Sequence, residues 1–571
     1  VRRSSILKRI TFYKVDEPRS LRAFMKRAVA VHGDKIEYIE CSGKFASCEY
    51  TFKDTIGRSY AFATAIKNHG WTGKHFAIIG ENCRDWVVSY LAVVTGMGVL
   101  VPMDVEMPTG DLARLTDKGD VDIYICTKML LPKVKEVMAL CPRVKELIVI
   151  GDDVHEELSF NTLIAEGKQQ INLGDDSVLA LEPNLDSVAM ICFTSGTTGP
   201  NKGVMLTERN ILTAAIAGIK MNFPGACGLS VLPMQHTYES CCHIWIAMYW
   251  GATVCFNDAL KNLMWNIERF RPTIIVVVPL FLETIAKNIR LETRRNGLTG
   301  YFDKGVYWSG VLLKLGIDMR RRIFKPILSK FGGRLTHVVC GGAHLNPDVE
   351  AFFRNIGIDV INGYGITECS PFVTTHSTAW QRPGSVGVEL PGEQIKVINP
   401  DDEGIGEICV KGQNVMKGYY KDPDATRATF TEDGWFNTGD LGYIRKHGKH
   451  KILYLAGRKK NLIVLSNGKN VHPEEIEQRM FAAMPYIKDG MVFGYTSSES
   501  QLICLTILPD YDAAKVLGID DVPARVREDV NQVNLSLAPH KRVQKIHIRD
   551  EEFVKTPTKK IIRNHPSNQE V

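Results

Sequence analysis

The sequence predicts an α/β protein: a large N-terminal part followed by a smaller α+β part. Three observations lead there. Between residues 20 and 130, segments with apolar residues at helical spacing alternate with short apolar runs, the pattern of a parallel sheet covered by helices. After about residue 380, Gly and Pro become dense and the strand-like runs shorten, as in an antiparallel, barrel-like unit. Near Gly457 the texture changes again, to helices mixed with strands. The 571 residues exceed one typical domain. The division expected is a large domain over 1–457 and a small one over 458–571.

The elements follow in order. Residues 21–31 and 55–68 carry apolar residues at helical spacing. Residues 36–39, 49–52, 75–80, 120–126 and 146–151 read as strands. The uncharged stretch 86–103 is long enough to raise a membrane span. Gly96, Gly98 and Pro102 interrupt it, so a buried helix leading into a buried strand is expected. Further strands are expected at 188–193, 229–233, 273–279 and 335–342. The last ends in Gly341-Gly342, at the carboxyl end of a strand, where open α/β sheets bind ligands. Short strands at 394–398 and 406–412 belong to the barrel-like part. Helices at 473–484 and 522–535 and strands at 489–494 and 502–507 belong to the C-terminal part.

Bulk properties exclude several classes. A formal net charge of +6 is small for this length and gives no case for nucleic acid. The fourteen cysteines include no C-x-x-C pair and read as buried small hydrophobes in a reducing cytoplasm. No secretory signal is expected at the N-terminus. Its basic residues, interleaved with apolar ones, read as a solvated tail. At most they would make peripheral contact at the inner face of an anionic membrane.

Chemistry concentrates in a few segments. Cys192-Phe-Thr-Ser-Gly-Thr-Thr-Gly-Pro-Asn-Lys-Gly203 follows a buried strand. Five of its twelve residues are Thr, Ser or Lys and three are Gly, a combination that can bend around a polyphosphate. It departs from the Walker loop, because Pro200 and Asn201 separate Gly199 from Lys202. Asn362-Gly-Tyr-Gly-Ile-Thr-Glu368 offers a stacking ring, a hydroxyl and a carboxylate suited to Mg²⁺ with a nucleotide. Trp435-Phe-Asn-Thr-Gly-Asp440 puts a carboxylate after a tight turn, suited to ribose hydroxyls. Arg458-Lys-Lys460 reads as a solvated face or as a phosphate contact. It leads to an Asn467-Gly468 hairpin turn and a helix start at Pro473. Lys555-Thr-Pro-Thr-Lys-Lys560 is a basic tail near the C-terminus, and His236 follows a strand in Leu232-Pro-Met-Gln-His236.

Taken in chain order, these segments resemble the adenylate-forming superfamily, which includes acyl-CoA synthetases, luciferases and adenylation domains of peptide synthetases. The resemblance runs from about residue 20 to 565. It implies a large domain of two α/β sheet subdomains plus a distorted β-barrel, and a small mobile α+β C-terminal domain. It also implies two steps: a carboxylate attacks the α-phosphate of ATP to give acyl-AMP and pyrophosphate, and a thiol then displaces AMP. Carboxylic acids ordinarily titrate near pH ~4, so the attacking carboxylate is already ionised and needs no general base. What the first step needs is positive charge.

By resemblance, the loop from Thr194 through Ser195, Gly196, Thr197, Thr198 and Gly199 to Lys202 holds the phosphates. Asn362, Gly363, Tyr364 and Gly365 line the adenine site, with Tyr364 stacking on the ring, and Thr367 belongs to the catalytic set. Thr194 and Glu368 contact Mg²⁺, while Asp440 and Arg458 hold the ribose. Lys560 bridges the substrate carboxylate and the α-phosphate. The resemblance further implies Lys460 as the hinge and Gly468 along the pantetheine tunnel. His236 becomes the gate between acyl site and tunnel, and Gly341, Gly342 and Ala343 one wall of the acyl pocket.

Lys559 stands where many members carry Gly. Thr-Pro-Thr-x-Lys560, Leu232-Pro-x-x-His-x-x-Glu239 and the segment 466–471 instead resemble long-chain fatty acyl-CoA synthetases. A long-chain fatty acid is therefore the implied substrate, with coenzyme A as acceptor. The alternative is a stand-alone ligase that loads a separate phosphopantetheinyl carrier protein, since no segment of these 571 residues reads as a carrier domain. A non-catalytic acyl- or nucleotide-binding relative is a third reading, and Lys560, Glu368 and Asp440 stand against it.

Overall fold

The computed structural model describes residues 10, 12–41, 46–151, 158–194, 201–223, 225–465, 469–496, 501–555 and 561–570. Two large sheets dominate it. In the first, strands Val188–Thr194, Val99–Pro102, His75–Ile79, Ile123–Thr127, Glu146–Ile150 and Leu158–Ser159 lie side by side and parallel. Their near-continuous apolar runs fit burial on both faces. Two antiparallel strands, Lys202–Thr207 and Gly418–Tyr419, extend its other edge.

The second sheet has a parallel half made by Ile36–Cys41, Thr253–Phe256, Cys227–Ser230, Ile274–Val277, His337–Cys340 and Asp359–Gly365. Beyond Asp359–Gly365 it turns antiparallel through Phe372–Thr375, Val388–Glu389, His450–Arg458, Phe436–His447, Gly406–Lys411 and Gln394–Ile398. The barrel-like part expected here is antiparallel, as anticipated, but among the described residues it forms no closed barrel. Asp359–Gly365 pairs on both sides, so the short strands continue the sheet, and among the described residues the strand order has two open ends.

Local chemistry explains the helices that brace these sheets. Thr51 and Asp54 form a reciprocal capping box at the head of helix Phe52–Asn68. That helix packs on Phe160–Asn172 at Gly167, where a Cβ would lie 1.9 Å from the Ala61 carbonyl oxygen. The apolar stretch 86–103 folds as anticipated, into helix Arg84–Ala92, a wide turn Val93–Met97 and strand Val99–Pro102. Among the described residues no helix is long and apolar enough to cross a membrane.

The C-terminal part has its own core. Helices Pro473–Ala483 and Val522–Ser536 cover a sheet of Ile487–Thr496, Gln501–Pro509 and Lys545–Ile548. Ile476, Met480, Val492, Leu505, Val526 and Val530 fill the space between them. Ion pairs tie it to the larger part: Lys287 to Asp510 at 2.6 Å and Lys541 to Glu403 at 3.3 Å.

One buried acid gives the fold a pH dependence. The carboxyl of Glu393 packs over Gly412 and beside Asn414, and is 5% exposed. Burial pushes it up from 4.5 to about 8, against the pull of the Asn414 backbone N–H. Between those values the unfolded chain has released this proton and the folded chain keeps it. Stability therefore falls as pH rises through that window and levels off above it. Glu393→Gln is expected to reduce the fall in apparent Tm between pH 5 and 8 and to raise Tm most at the alkaline end. Glu350, pushed up by burial to about 7, leaves a residual slope. Thermal melts across this range check it; a slope as steep as in the parent chain would contradict the assignment.

Candidate functional site

A cavity of about 610 Å³ opens at the carboxyl ends of the parallel strands of the second sheet, against the C-terminal part. Gly342 and Ala343 line it just beyond strand His337–Cys340, and Gly363, Tyr364 and Gly365 at the end of the next strand. Asp440, Tyr443, Gly457 and Arg458 come from the antiparallel half. Glu474, Gln478, Met491, Ile561 and Arg563 face it from the C-terminal part.

Its most ordered feature is a triad of side chains. The Tyr364 hydroxyl donates to Asp440 Oδ2 at 2.7 Å. Arg458 Nε lies 3.1 Å from Asp440 Oδ1. Strand register brings the two charged residues together, since Asp440 pairs with Arg458 across antiparallel strands. The tight turn expected before Asp440 is instead part of the long strand Phe436–His447, with Gly439 at φ +72°. Only a residue tolerant of that backbone conformation lets the strand kink and present the carboxylate. Burial, together with the neighbouring Asp440, pushes the Tyr364 hydroxyl well above its usual value, so it remains a donor.

A second group surrounds Glu368. Thr194 pairs with Lys202 at the base of the hairpin between strands Val188–Thr194 and Lys202–Thr207. Ser195, Gly196, Thr197, Thr198 and Gly199 lie outside the described residues. Lys202 Nζ sits 4.6 Å from the centre of the Tyr419 ring. The Tyr419 hydroxyl in turn donates to Glu368 Oε1 at 3.0 Å. The Met416 N–H donates to the Glu368 carbonyl at 2.8 Å. Burial pushes the Glu368 carboxyl upward. Tyr419 is a residue the sequence reading missed: it is placed by strand Gly418–Tyr419 pairing with Val204 and Met205, more than two hundred positions away.

A family model for AMP-binding enzymes matches residues 25–420, and one for the AMP-binding enzyme C-terminal domain matches 460–569. The chain belongs to the AMP-binding enzyme family. It is 27% identical to long-chain-fatty-acid–CoA ligase 5 of Rattus norvegicus, over 88% of this chain and 77% of that protein. It is also 27% identical to long-chain-fatty-acid–CoA ligase 6 of Homo sapiens, over 90% of this chain and 80% of the relative. The fold of this AMP-binding enzyme matches a solved anthranilate CoA ligase, AuaEII, in complex with anthranoyl-AMP. The TM-score is 0.74, with 19% identity over 96% of both chains. It also matches ATP-bound MatB from Rhodopseudomonas palustris, with a TM-score of 0.73 and 23% identity over 95% of this chain and 98% of the other.

The remaining candidates of this AMP-binding enzyme are placed as follows. Gly341 is buried beneath Tyr238, whose ring atoms would lie 3.3 Å from a Cβ there, while Gly342 and Ala343 reach the cavity. Asn362 is buried and its Nδ2 donates to the Ser385 carbonyl at 3.1 Å; it is not among the cavity-lining residues. Thr367 begins the short turn Thr367–Cys369 that carries Glu368. His236 is exposed at the head of helix Thr237–Ser240 and is not among the cavity-lining residues. Lys460 lines the cavity in the turn Lys459–Asn461. Gly468 and Lys560 lie outside the described residues, although strands Ile463–Val464 and Asn470–Val471 pair antiparallel around the expected hairpin. Among the described residues there is no cluster of three or more His, Cys, Asp or Glu able to hold a metal alone.

Proposed function

We propose that the chain activates a long-chain fatty acid with ATP and transfers the acyl group to coenzyme A. The acid's carboxylate oxygen bonds to the α-phosphorus of ATP and pyrophosphate leaves. The thiol sulfur of coenzyme A then bonds to the acyl carbon, AMP leaves and the thiol proton is released. The observation that carries this reading is the joining of Tyr364, Asp440 and Arg458 in one cavity whose opposite wall belongs to the C-terminal part. An aromatic face, a carboxylate and a guanidinium match an adenine ring and a ribose bearing vicinal hydroxyls.

In this reading Lys202 and the loop 194–202 neutralise the phosphates, and Lys560 supplies the charge between the two anions. Mg²⁺ fits the donor set, because it is commonly held by one or two carboxylates together with substrate phosphates. Glu368 and Thr194 would hold it, and it would supply charge neutralisation on the phosphates. The division into domains at 457/458 belongs to the same proposal, with Lys460 as the hinge. The separate apolar core of the C-terminal part supports it. A cytoplasmic site of action fits fourteen cysteines of which none is paired.

Pyrophosphate release across saturated acids of increasing chain length tests the substrate. A maximum at long chains is expected, and a preference for short or aromatic acids would overturn it. Parallel reactions with coenzyme A and with a phosphopantetheinyl carrier protein test the acceptor. Gly468→Leu separates the two steps. Carboxylate-dependent pyrophosphate exchange is expected within about twofold of the parent chain, whereas thioester output drops by about a hundredfold or more, as for a tunnel misfit of an ångström or more. Unchanged thioester output would remove Gly468 from the thiol path.

A further inference from the structure

The helix Thr299–Lys314 is seated on the second sheet's covering layer by one face only. Phe302 and Val306 pack against that core, with the Phe302 ring 5.9 Å from Phe324 and 6.1 Å from Phe352. Ser309 is buried, its hydroxyl donating to the Asn355 carbonyl at 2.6 Å. These contacts fix the rotation of the helix about its axis. Tyr301 and Trp308 therefore lie about 100° round the helix from Phe302 and Ser309, on a flank turned to solvent, with Leu315 just past the last turn. Tyr301, Trp308 and Leu315 are 82%, 58% and 71% exposed, and Tyr307 beside them is 65% exposed.

An outward stripe of large aromatic and aliphatic side chains is unlike an ordinary solvated face. Its surroundings are strongly basic. From Lys287 to Lys330 there are eleven Lys or Arg against three Asp or Glu, an excess of eight in a chain whose formal net charge is +6. The remainder of the chain is therefore slightly acidic, and the positive field is concentrated here. Some of these cations serve the fold: Arg320 pairs with Asp318 and Asp359. Arg295, Lys304, Lys314 and Arg322 are exposed.

We propose that this face docks on an anionic lipid bilayer, with Tyr301, Trp308 and Leu315 entering the headgroup boundary and the flanking lysines and arginines meeting lipid phosphates. Trp and Tyr favour that boundary because each has an apolar body and a polar edge. Each nearby cation adds attraction to an anionic surface. The charge excess favours a bilayer over a second copy of the chain, whose equally basic face would repel. The inference is independent of which acid the cavity takes.

The full chain should float with vesicles of phosphatidylcholine and phosphatidylserine in equal parts, less with phosphatidylcholine alone, and less at high salt. Y301S/W308S and K304Q/K314Q should each lower the partition coefficient on anionic vesicles by about tenfold or more, with an apparent Tm matching the parent chain. Three results would overturn the proposal: no flotation of the parent chain, undiminished flotation of both variants, or a parent chain that is dimeric by light scattering and becomes monomeric as Y301S/W308S. The second would move binding elsewhere on the chain, and the third would make this face a contact between copies.

Discussion

Lys560→Ala is expected to lower carboxylate-dependent pyrophosphate exchange by on the order of 10³, comparable to the loss of one preorganised charge-stabilising donor in other active sites. An ionised carboxylate must approach a phosphate that already bears negative charge, and bond formation spreads more charge over the oxygens in flight. No base can assist, because the nucleophile is deprotonated from the outset. Positive charge held between the two anions is the remaining source of acceleration, and it acts most strongly where the C-terminal part shuts out water. The described residues on either side of this position lie beside the cavity: the Ile562 N–H bonds to the Val554 carbonyl, and Ile561 lines the cavity wall. Thioester formation from supplied acyl-AMP should stay within about twofold of the parent chain, since thiol attack on an activated acyl carbon releases AMP without crossing the same repulsion. Equal loss in both half-reactions would show that the lysine serves folding or general binding instead. Lys560→Arg keeps the charge but changes its shape and reach, so partial rescue of exchange is expected.

Much of the architecture was legible from periodicity alone. Residues 75–80, 146–151 and 188–193 are short apolar runs between amphipathic segments, and they form parallel strands of the first sheet. The uncharged stretch 86–103 was readable as helix then strand because Gly96, Gly98 and Pro102 mark where the helix must end. Strand Lys202–Thr207 was not legible: its partners are set by tertiary pairing, and a glycine-rich loop gives no hint that the chain returns antiparallel. Whether the barrel-like part closes was hidden for a related reason. Short strands rich in Gly and Pro look alike whether they close on themselves or extend an existing sheet, and only pairing at Phe372–Thr375 decides it. Tyr364, Asp440 and Arg458 were singled out separately, but the bonds that join them depend on strand register that no local pattern encodes. Tyr419 carried no signal at all, because two adjacent tyrosines after a glycine resemble any exposed turn.

Gly365→Ala should show how narrowly the site is built. The strand Asp359–Gly365 doubles back so tightly that the Ile366 N–H bonds to the Pro371 carbonyl at 2.8 Å. That same oxygen lies 2.0 Å from where a Cβ on residue 365 would stand, and the Pro371 carbonyl carbon lies 2.9 Å away. Both obstacles are backbone, so no rotamer change relieves the contact, and the two limbs of the turn must separate. Between those limbs sits Glu368, held on its other sides by the Met416 N–H and the Tyr419 hydroxyl. A displacement of about 1 Å there is enough to cost on the order of a hundredfold in rate, because the groups around the phosphates must meet within tight limits. The fold as a whole should persist, since the clash is confined to one turn at the sheet's carboxyl end; overpacking of this size costs roughly 1–3 kcal/mol. The expected result is a fall of about a hundredfold in kcat/KM for ATP, with the apparent Tm lowered by only a few degrees. Pyrophosphate release and thermal melts on the same preparation check it. Activity near that of the parent chain would mean that Glu368 can shift without consequence, and its proposed part in holding the metal and the phosphates would then fall.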